Sequence, residues 1–306
     1  MPNPVRGLLY EGSVRRQRTV WFYVFVSPWI VGFLLWHALP MLASLALSFA
    51  RYDAISAPRF IGVQNYTDMV ADPLTWQSLK VTAIYTVGAV GVTLVGSLLL
   101  ASLLNQRLPL LGLWRTIFYL PVVTSGVAVA LLWSWLLQPD FGLVNAALLN
   151  VFGIHGPRWF TDQIWVVPSF ILMASWSVGG PMLIYLAAMQ GVPTQLHEAA
   201  KIDGAGAVAR YWFITLPMIS PAIFFNLVLS VIASFQVFTP AFIITQGGPN
   251  YGSYFFVLHL YEYAFSYFKL GYASALAWLL FVIVLLFTLA LFRWSFWVYY
   301  EGEARA

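Results

Sequence analysis

Polar and apolar residues follow one another along this chain in long blocks rather than in strict alternation. Six apolar blocks lie near residues 20–43, 81–104, 116–137, 164–189, 219–245 and 270–292. Each is close to the roughly 20 residues a helix needs to cross a bilayer core. The blocks are continuous, which predicts helices and not the alternating strands of a membrane barrel. The pattern therefore predicts an all-α integral membrane protein with six transmembrane helices. One domain is expected over 19–293, between a cytoplasmic N-terminal segment, 1–18, and a cytoplasmic tail, 294–306. Pro28, Pro40, Pro121, Pro168, Pro181 and Pro240 fall in or near the blocks. Such residues survive in lipid where neighbouring helices satisfy the freed backbone groups, which predicts a packed bundle around a pathway.

The first block follows a basic stretch holding Arg6, Arg15, Arg16 and Arg18, and residues 19–50 carry no Asp, Glu, Lys or Arg. That run is too long for the apolar region of a cleaved leader, so it reads as a retained first span. Composition supports the pattern. The 306 residues are 61% hydrophobic and 8% charged, with a mean hydropathy of +0.80, where a soluble domain carries about 25% charged residues. The net charge of +4 says less than its placement. With six spans both termini share a side. That side collects Arg6, Arg15, Arg16, Arg18, Arg107, Arg115, Lys201, Arg210, Arg293 and Arg305. The other collects Arg51, Arg59, Lys80, Arg158 and Lys269, and ten against five places both termini in the cytoplasm. The segments 51–80, 139–163 and 246–269 then face outward.

The chemistry is marked by what is missing. There is no Cys, which removes disulfides, thiolate metal sites and thiol catalysis. No block centre carries Asp, Glu, Lys or Arg, whereas ion-coupled carriers usually keep an ionisable group in the membrane. His37 sits near a block end, and His155, His197 and His259 lie in or near loops without metal-ligand spacing. No G-x-x-x-x-G-K-[ST] phosphate loop is present. Neither an enzyme, a bound cofactor, a metal nor a nucleic-acid partner is expected. Most of the aromatic content, 18%, falls near block ends (Trp29, Trp36, Trp133, Trp135, Trp294, Trp297, Tyr299, Tyr300), where interfacial belts account for it.

The stretch between the fourth and fifth blocks is the most informative. Thr194 can cap a helix after Pro193, and Gln195 to Asp203 give about nine helical residues, roughly 13 Å. Gly204 and Gly206 allow the helix to stop and turn. Leu196, Ala199 and Ala200 share a face, and Glu198, Lys201 and Asp203 supply charge. Such a helix suits either a groove on another protein or the plane of the membrane surface. Its residues resemble the cytoplasmic EAA loop of binding-protein-dependent ABC importer permeases: E-A-A, three residues, G, nine residues, I-x-L-P. Glu198, Ala199 and Ala200 are followed at those spacings by Gly204, Ile214, Leu216 and Pro217.

The resemblance extends over most of the chain and is closest to the carbohydrate-uptake branch. It is similar to the F-type permease of the maltose importer and to lactose- and glycerophosphate-type permeases. Phe60-Ile61-Gly62-Val63-Gln64-Asn65-Tyr66 resembles that branch's F-x-G-x-x-N-Y segment. Arg115 to Pro121, with Ser125, resembles its third core span, and Thr245-Gln246-Gly247-Gly248-Pro249 its T-x-G-G-P signature. No large extra domain separates the spans. The resemblance implies a type I ABC importer permease fold in a bacterial or archaeal plasma membrane. The implied partners are a second, G-type permease, a homodimeric cytoplasmic ATPase that uses ATP and Mg, and an extracytoplasmic substrate-binding protein. Glu198, Ala199, Ala200, Asp203, Gly204, Ile214, Leu216 and Pro217 would couple to the ATPase. The substrate, a sugar or else a polyol or glycerol phosphate ester, would pass residues of the fourth and fifth spans: Trp176, Ser177, Gly180, Phe235, Gln236 and Thr239. For Gln236 and Asn226 the other reading is a hydrogen bond that packs helices. A secondary carrier working alone would call for an intramembrane charge or repeated broken helices.

Overall fold

The computed structural model describes residues 4–106 and 109–299, with the backbone only for 4–15. Arg107, Tyr300, Arg305 and the rest of the expected tail from 300 onward lie outside the described residues, as do residues 1–3 and the side chains of Arg6 and Arg15.

Helix α1 (Pro4–Phe33) continues through a π turn, Leu34–Ala38, into α2 (Leu39–Ser48). The apolar stretch runs over Arg16–Ser48, longer than the block read from the sequence. Its first part is exposed to all sides, as suits a helix that is apolar all round and surrounded by lipid or other spans. A short antiparallel ribbon follows. Ala50 of β1 (Ala50–Arg51) faces Phe60 of β2 (Arg59–Phe60), and Arg51 faces Arg59. Asn65 on α3 (Gln64–Ala71) fastens this corner: its Nδ2 donates to the carbonyls of Ser48 at 2.8 Å and Ala50 at 3.0 Å. The Tyr66 hydroxyl lies 2.8 Å from Ser48 Oγ. The F-x-G-x-x-N-Y segment thus closes the end of the first span.

Helix α4 (Pro73–Leu104), 32 residues long, is the axis of the fold. Pro at its first position is preset for helix, and Asp72 caps it, accepting from Leu74 N at 2.9 Å. It contributes to each of the three packed clusters: Val81 and Tyr85 to the first, Val90 to the second, Ala101 and Leu104 to the third. The chain continues with α5 (Leu111–Val123), α6 (Gly126–Leu136), α7 (Leu143–Phe152), α8 (Val166–Ala174) and α9 (Gly179–Gln190), of which α8 and α9 pack along α4. The chain goes on through α10 (Thr194–Ile202), α11 (Ala207–Arg210), α12 (Leu216–Met218), α13 (Ser220–Phe235), α14 (Thr239–Ile244), α15 (Phe256–Tyr261) and α16 (Leu270–Arg293).

Among the described residues four helical stretches are long and apolar enough to cross a membrane by themselves: Arg16–Ser48, Pro73–Leu104, Ser220–Ile244 and Leu270–Arg293. Two bent pairs pass the same test together, which makes up to six passages where each pair counts as one span. Neither pair is the straight span that its apolar block predicts. The third block bends by 100° between α5 and α6, because Thr124 (ψ 140°) and Ser125 (ψ 134°) are extended. The fourth bends by 45°, where a 3-10 turn, Ser175–Ser177, joins α8 to α9. Hydropathy averaged over a span misses both bends, since the few hydroxyl residues at them (Thr124, Ser125, Ser175, Ser177) are outweighed by the apolar residues around them.

Candidate functional site

The loop between α9 and α13 is built to present one short helix. Pro193 occupies the cap position of α10, so Thr194 is the first helical residue and not the cap that the sequence suggested. Pro193 has no N–H to spare there and presets the turn. The far end closes in a Schellman turn. Ala205 N donates to Ala200 O at 2.8 Å and Gly204 N to Lys201 O at 3.1 Å, with Gly204 at φ +84°. That pairing satisfies the last carbonyls and demands a left-handed residue at its centre. A Cβ on Gly204 would meet nothing within 4 Å, so the requirement there is conformational and not steric.

No residue of α10 is buried. Glu198, Ala199 and Asp203 are exposed, Ala200 is half-buried, and Ile202 is 86% exposed. The return path continues the apolar surface with Val208, Trp212 and Phe213. Anchoring falls to other residues. Ile214 and Leu216 pack on the cluster of Met182, Tyr185 and Met189, which also holds Ala101 and Leu104 at the end of α4. Ser102 Oγ donates to the Tyr211 hydroxyl at 2.9 Å. Pro217 is exposed, and its carbonyl accepts from Ser220 Oγ at 2.7 Å. The eight residues picked out of this loop by spacing therefore divide into a displayed group on α10 and its turn, and an anchor at Ile214, Leu216 and Pro217.

A second feature lies at the two bends. Gly179 is pressed against α5: a Cβ there would stand 2.0 Å from Phe118 O, so only glycine lets the two backbones meet. Inside the α5–α6 angle is a cavity of about 560 Å³, apolar except for Thr124, Ser175 and Trp176. Trp176 is edge-on to Trp133 at 5.8 Å. Gly180 faces the Val122 methyls, 3.8 Å from a Cβ placed on it. Ser177 is exposed. The methyl of half-buried Thr239 would be 3.9 Å from a Cβ on Gly126, so Thr239 reaches the start of α6. Gln236 is exposed where the chain leaves α13.

Phe235 does not join this group. It is buried in the cluster with Val90, Val231 and Leu276, 5.3 Å from Phe287 of α16. The expected aromatic–amide pair is split, since the helix ends between its two members and the ring turns into the core. Asn226 is buried as well, its amide donating to Ala222 O at 3.0 Å within α13 itself and not to another helix.

One constellation escaped the sequence reading. His259 on α15 is fully buried. Its Nε2 lies 3.1 Å from Thr75 Oγ1 and 3.8 Å from Asp72 Oδ2, and its Nδ1 3.2 Å from the Tyr254 hydroxyl. Tyr254 donates onward to Glu262, so it accepts from His259, which fixes the proton on Nδ1. Tyr263 and Tyr272 donate to Asp72 at 3.2 and 3.3 Å. Burial pushes the His259 imidazole down to about 4, with the Asp72 charge acting against it, so the ring is neutral at pH 7. Burial, then Glu262, pushes Tyr254 up. The signal available in sequence was the Asp72-Pro73 cap alone. Nothing in it tied Asp72 to a histidine 187 positions on, by the numbers 259 and 72.

Comparison with known proteins gives the following. Residues 93–298 match the family described as binding-protein-dependent transport system inner membrane component. Over 286 residues, 92% of each chain, the sequence is 44% identical to the probable ABC transporter permease protein YesP of Bacillus subtilis (strain 168). It is 33% identical over 281 residues to the lactose transport system permease protein LacF of Rhizobium radiobacter, covering 90% of this chain and 93% of that one. Among solved structures, one chain of a bacterial ABC transporter involved in import of the acidic polysaccharide alginate superposes with a TM-score of 0.78. It is 25% identical, and the match covers 91% of this chain and 96% of that one.

Proposed function

The chain belongs to the family of binding-protein-dependent transport system inner membrane components, and from that membership we propose a specific division of labour for its parts. It forms half of a translocation pathway, paired with a second permease of similar fold, and α10 is the helix on which a separate ATPase docks. The single observation that carries this reading is that α10 is displayed and not packed. A nine-residue helix, apolar on one face and fixed at both stems, has no residue buried against the rest of the chain among the described residues. A groove on a soluble partner covers such a face. On this assignment ATP and Mg belong to the partner, and the α10 side, with both termini, is cytoplasmic. The positive-inside balance supports that orientation.

The solute is a sugar. LacF, which shares a third of its residues with this chain, is named for lactose transport. The cavity at the α5–α6 angle offers Trp176 as an aromatic face and Thr124 and Ser175 as hydroxyl partners, the kind of lining that takes a sugar's C–H surface and its OH groups. That cavity holds no Lys or Arg, which disfavours a phosphorylated solute. Ser177, Gly180, Thr239 and Gln236 border the same route, while Phe235 does not.

The test is reconstitution of the chain with its partner permease, ATPase and binding protein in proteoliposomes, screening solutes for stimulated ATP hydrolysis. Stimulation by a neutral sugar supports the assignment. Stimulation only by polyols or glycerol phosphate esters overturns the solute, and hydrolysis indifferent to Gly204→Asp overturns the docking role of α10.

A further inference from the structure

Beyond α16 the chain does not run off into solvent. A short 3-10 turn, Ser295–Trp297, folds it back under α13. Trp297 lies against Phe224 at 6.2 Å, and Phe224 against Phe292 at 5.0 Å. Val298 is buried. Tyr299 N then donates to Ser220 Oγ at 2.8 Å, and the same hydroxyl donates to Pro217 O at 2.7 Å. One serine, itself 2% exposed, therefore accepts from the tail and donates to the last turn of the α10 loop, a combination open to a hydroxyl. Tyr299 lines an open cavity of about 290 Å³ whose other walls include Gly191 and Val192, where the loop leaves α9, and Met218 and Ile219, where it returns. The tail thus lies across both stems of the loop.

We propose that residues 294–299 are a strap that joins α16 to the two stems of the α10 loop, with Ser220 the positioning residue that fastens it. Force applied to α10 then reaches α16 directly as well as α13, and the loop cannot pivot at its base without carrying the sixth span along. Two polar groups meet at Ser220. Without its hydroxyl, Tyr299 N loses its partner and Pro217 O keeps only the N–H of Ile219, so the link between tail and loop is cut at that point. This inference rests on α10 being the ATPase-docking helix, but the strap itself can be read without that assumption.

The chain has no native Cys, so spin labels can be placed cleanly at the exposed positions Ile202→Cys on α10 and Leu289→Cys on α16. Distances between them are measured by pulsed electron resonance in the full complex, with and without ATP and vanadate. With the strap intact the two labels keep one narrow distance in both states. Ser220→Ala, or truncation after Val298, widens the distribution by about twofold, and Ser220→Thr restores it. An unchanged distribution in both altered chains overturns the strap. So does widening that Ser220→Thr reproduces, because that reports crowding and not the lost hydroxyl. Gly204→Asp in the same labelled chain separates the two readings. If it leaves ATP-driven uptake unaltered, the docking role fails whatever the strap does. If it lowers uptake by about tenfold while Ser220→Ala leaves the distances alone, the strap alone fails.

Discussion

The two ends of α4 carry polar residues under opposite rules. Where α4 ends, the loop at α10 shows Glu198, Lys201, Asp203 and Ile202 to the surroundings, and every residue of the helix is at least partly exposed. Where α4 begins, Thr75 meets a histidine that is 0% exposed, and Asp72, Tyr254, Glu262, Tyr263 and Tyr272 complete a closed set of hydrogen bonds. One end leaves its contacts to be made by something else. The other makes all of its own. Substitutions at the first should therefore alter what the chain does while it stays folded, and at the second whether it holds together.

The largest effect expected from breaking this contrast is at the closed end. His259→Ala removes a fully buried ring and leaves Thr75 and Tyr254 without their shared partner, at a cost of about 3 kcal/mol. A lowered thermal midpoint of the purified chain, with hydrolysis and uptake still in their original ratio in the surviving complex, is the expected signature. A changed ratio at constant midpoint breaks the contrast. Next comes Ala199→Trp at the open end, which fills the space that lets a partner approach. Uptake should fall by about 30-fold, near 2 kcal/mol of coupling, with the midpoint unmoved in a melting curve.

Acid sharpens the same distinction. An unfolded histidine titrates near 6.5 and the folded one is pushed down to about 4. Between those values the unfolded chain binds the extra proton, so stability is complete above pH 6.5 and is lost as pH falls toward 4. Going from pH 7 to pH 5 should remove about 2 kcal/mol. His259→Gln should flatten that slope in melts taken across the range. The smallest effect is Gly204→Ala, which asks a residue with a Cβ to adopt φ +84° with no clash to relieve. Its cost of about 1 kcal/mol should appear as faster amide exchange confined to the end of α10, with the global midpoint unchanged.

The open end was largely legible in the sequence and the closed end was not. A short displayed helix keeps its information local. Spacing from Glu198 to Pro217, a glycine where the backbone turns left-handed and small residues on one face can all be read in order along the chain. Even there the cap fell one residue early, on Pro193. His259 illustrates the opposite case, because its partners come from Asp72 and Thr75 at the start of α4 and from Tyr254 in the turn before α15. No period or spacing ties those positions together. The bends between α5 and α6 and between α8 and α9 were hidden for another reason. Hydropathy records how apolar a stretch is on average, and two hydroxyl residues at a turn do not lower that average enough to show. The residues expected on the pathway fell between these cases. Trp176 lines the cavity at the α5–α6 angle, Gly180 and Thr239 reach α5 and the start of α6, and Phe235 is buried at the end of α13.

The length of α4 has a mechanical meaning. Its 32 residues make a rod of about 48 Å, held by Thr75 near one tip and by Ser102 near the other. Tilting such a rod by about 10° around its His259 tip sweeps the far tip through about 8 Å. A rigid rod thus joins a buried polar cluster at one tip to the exposed α10 loop at the other, so a small rotation at the first is a large displacement at the second.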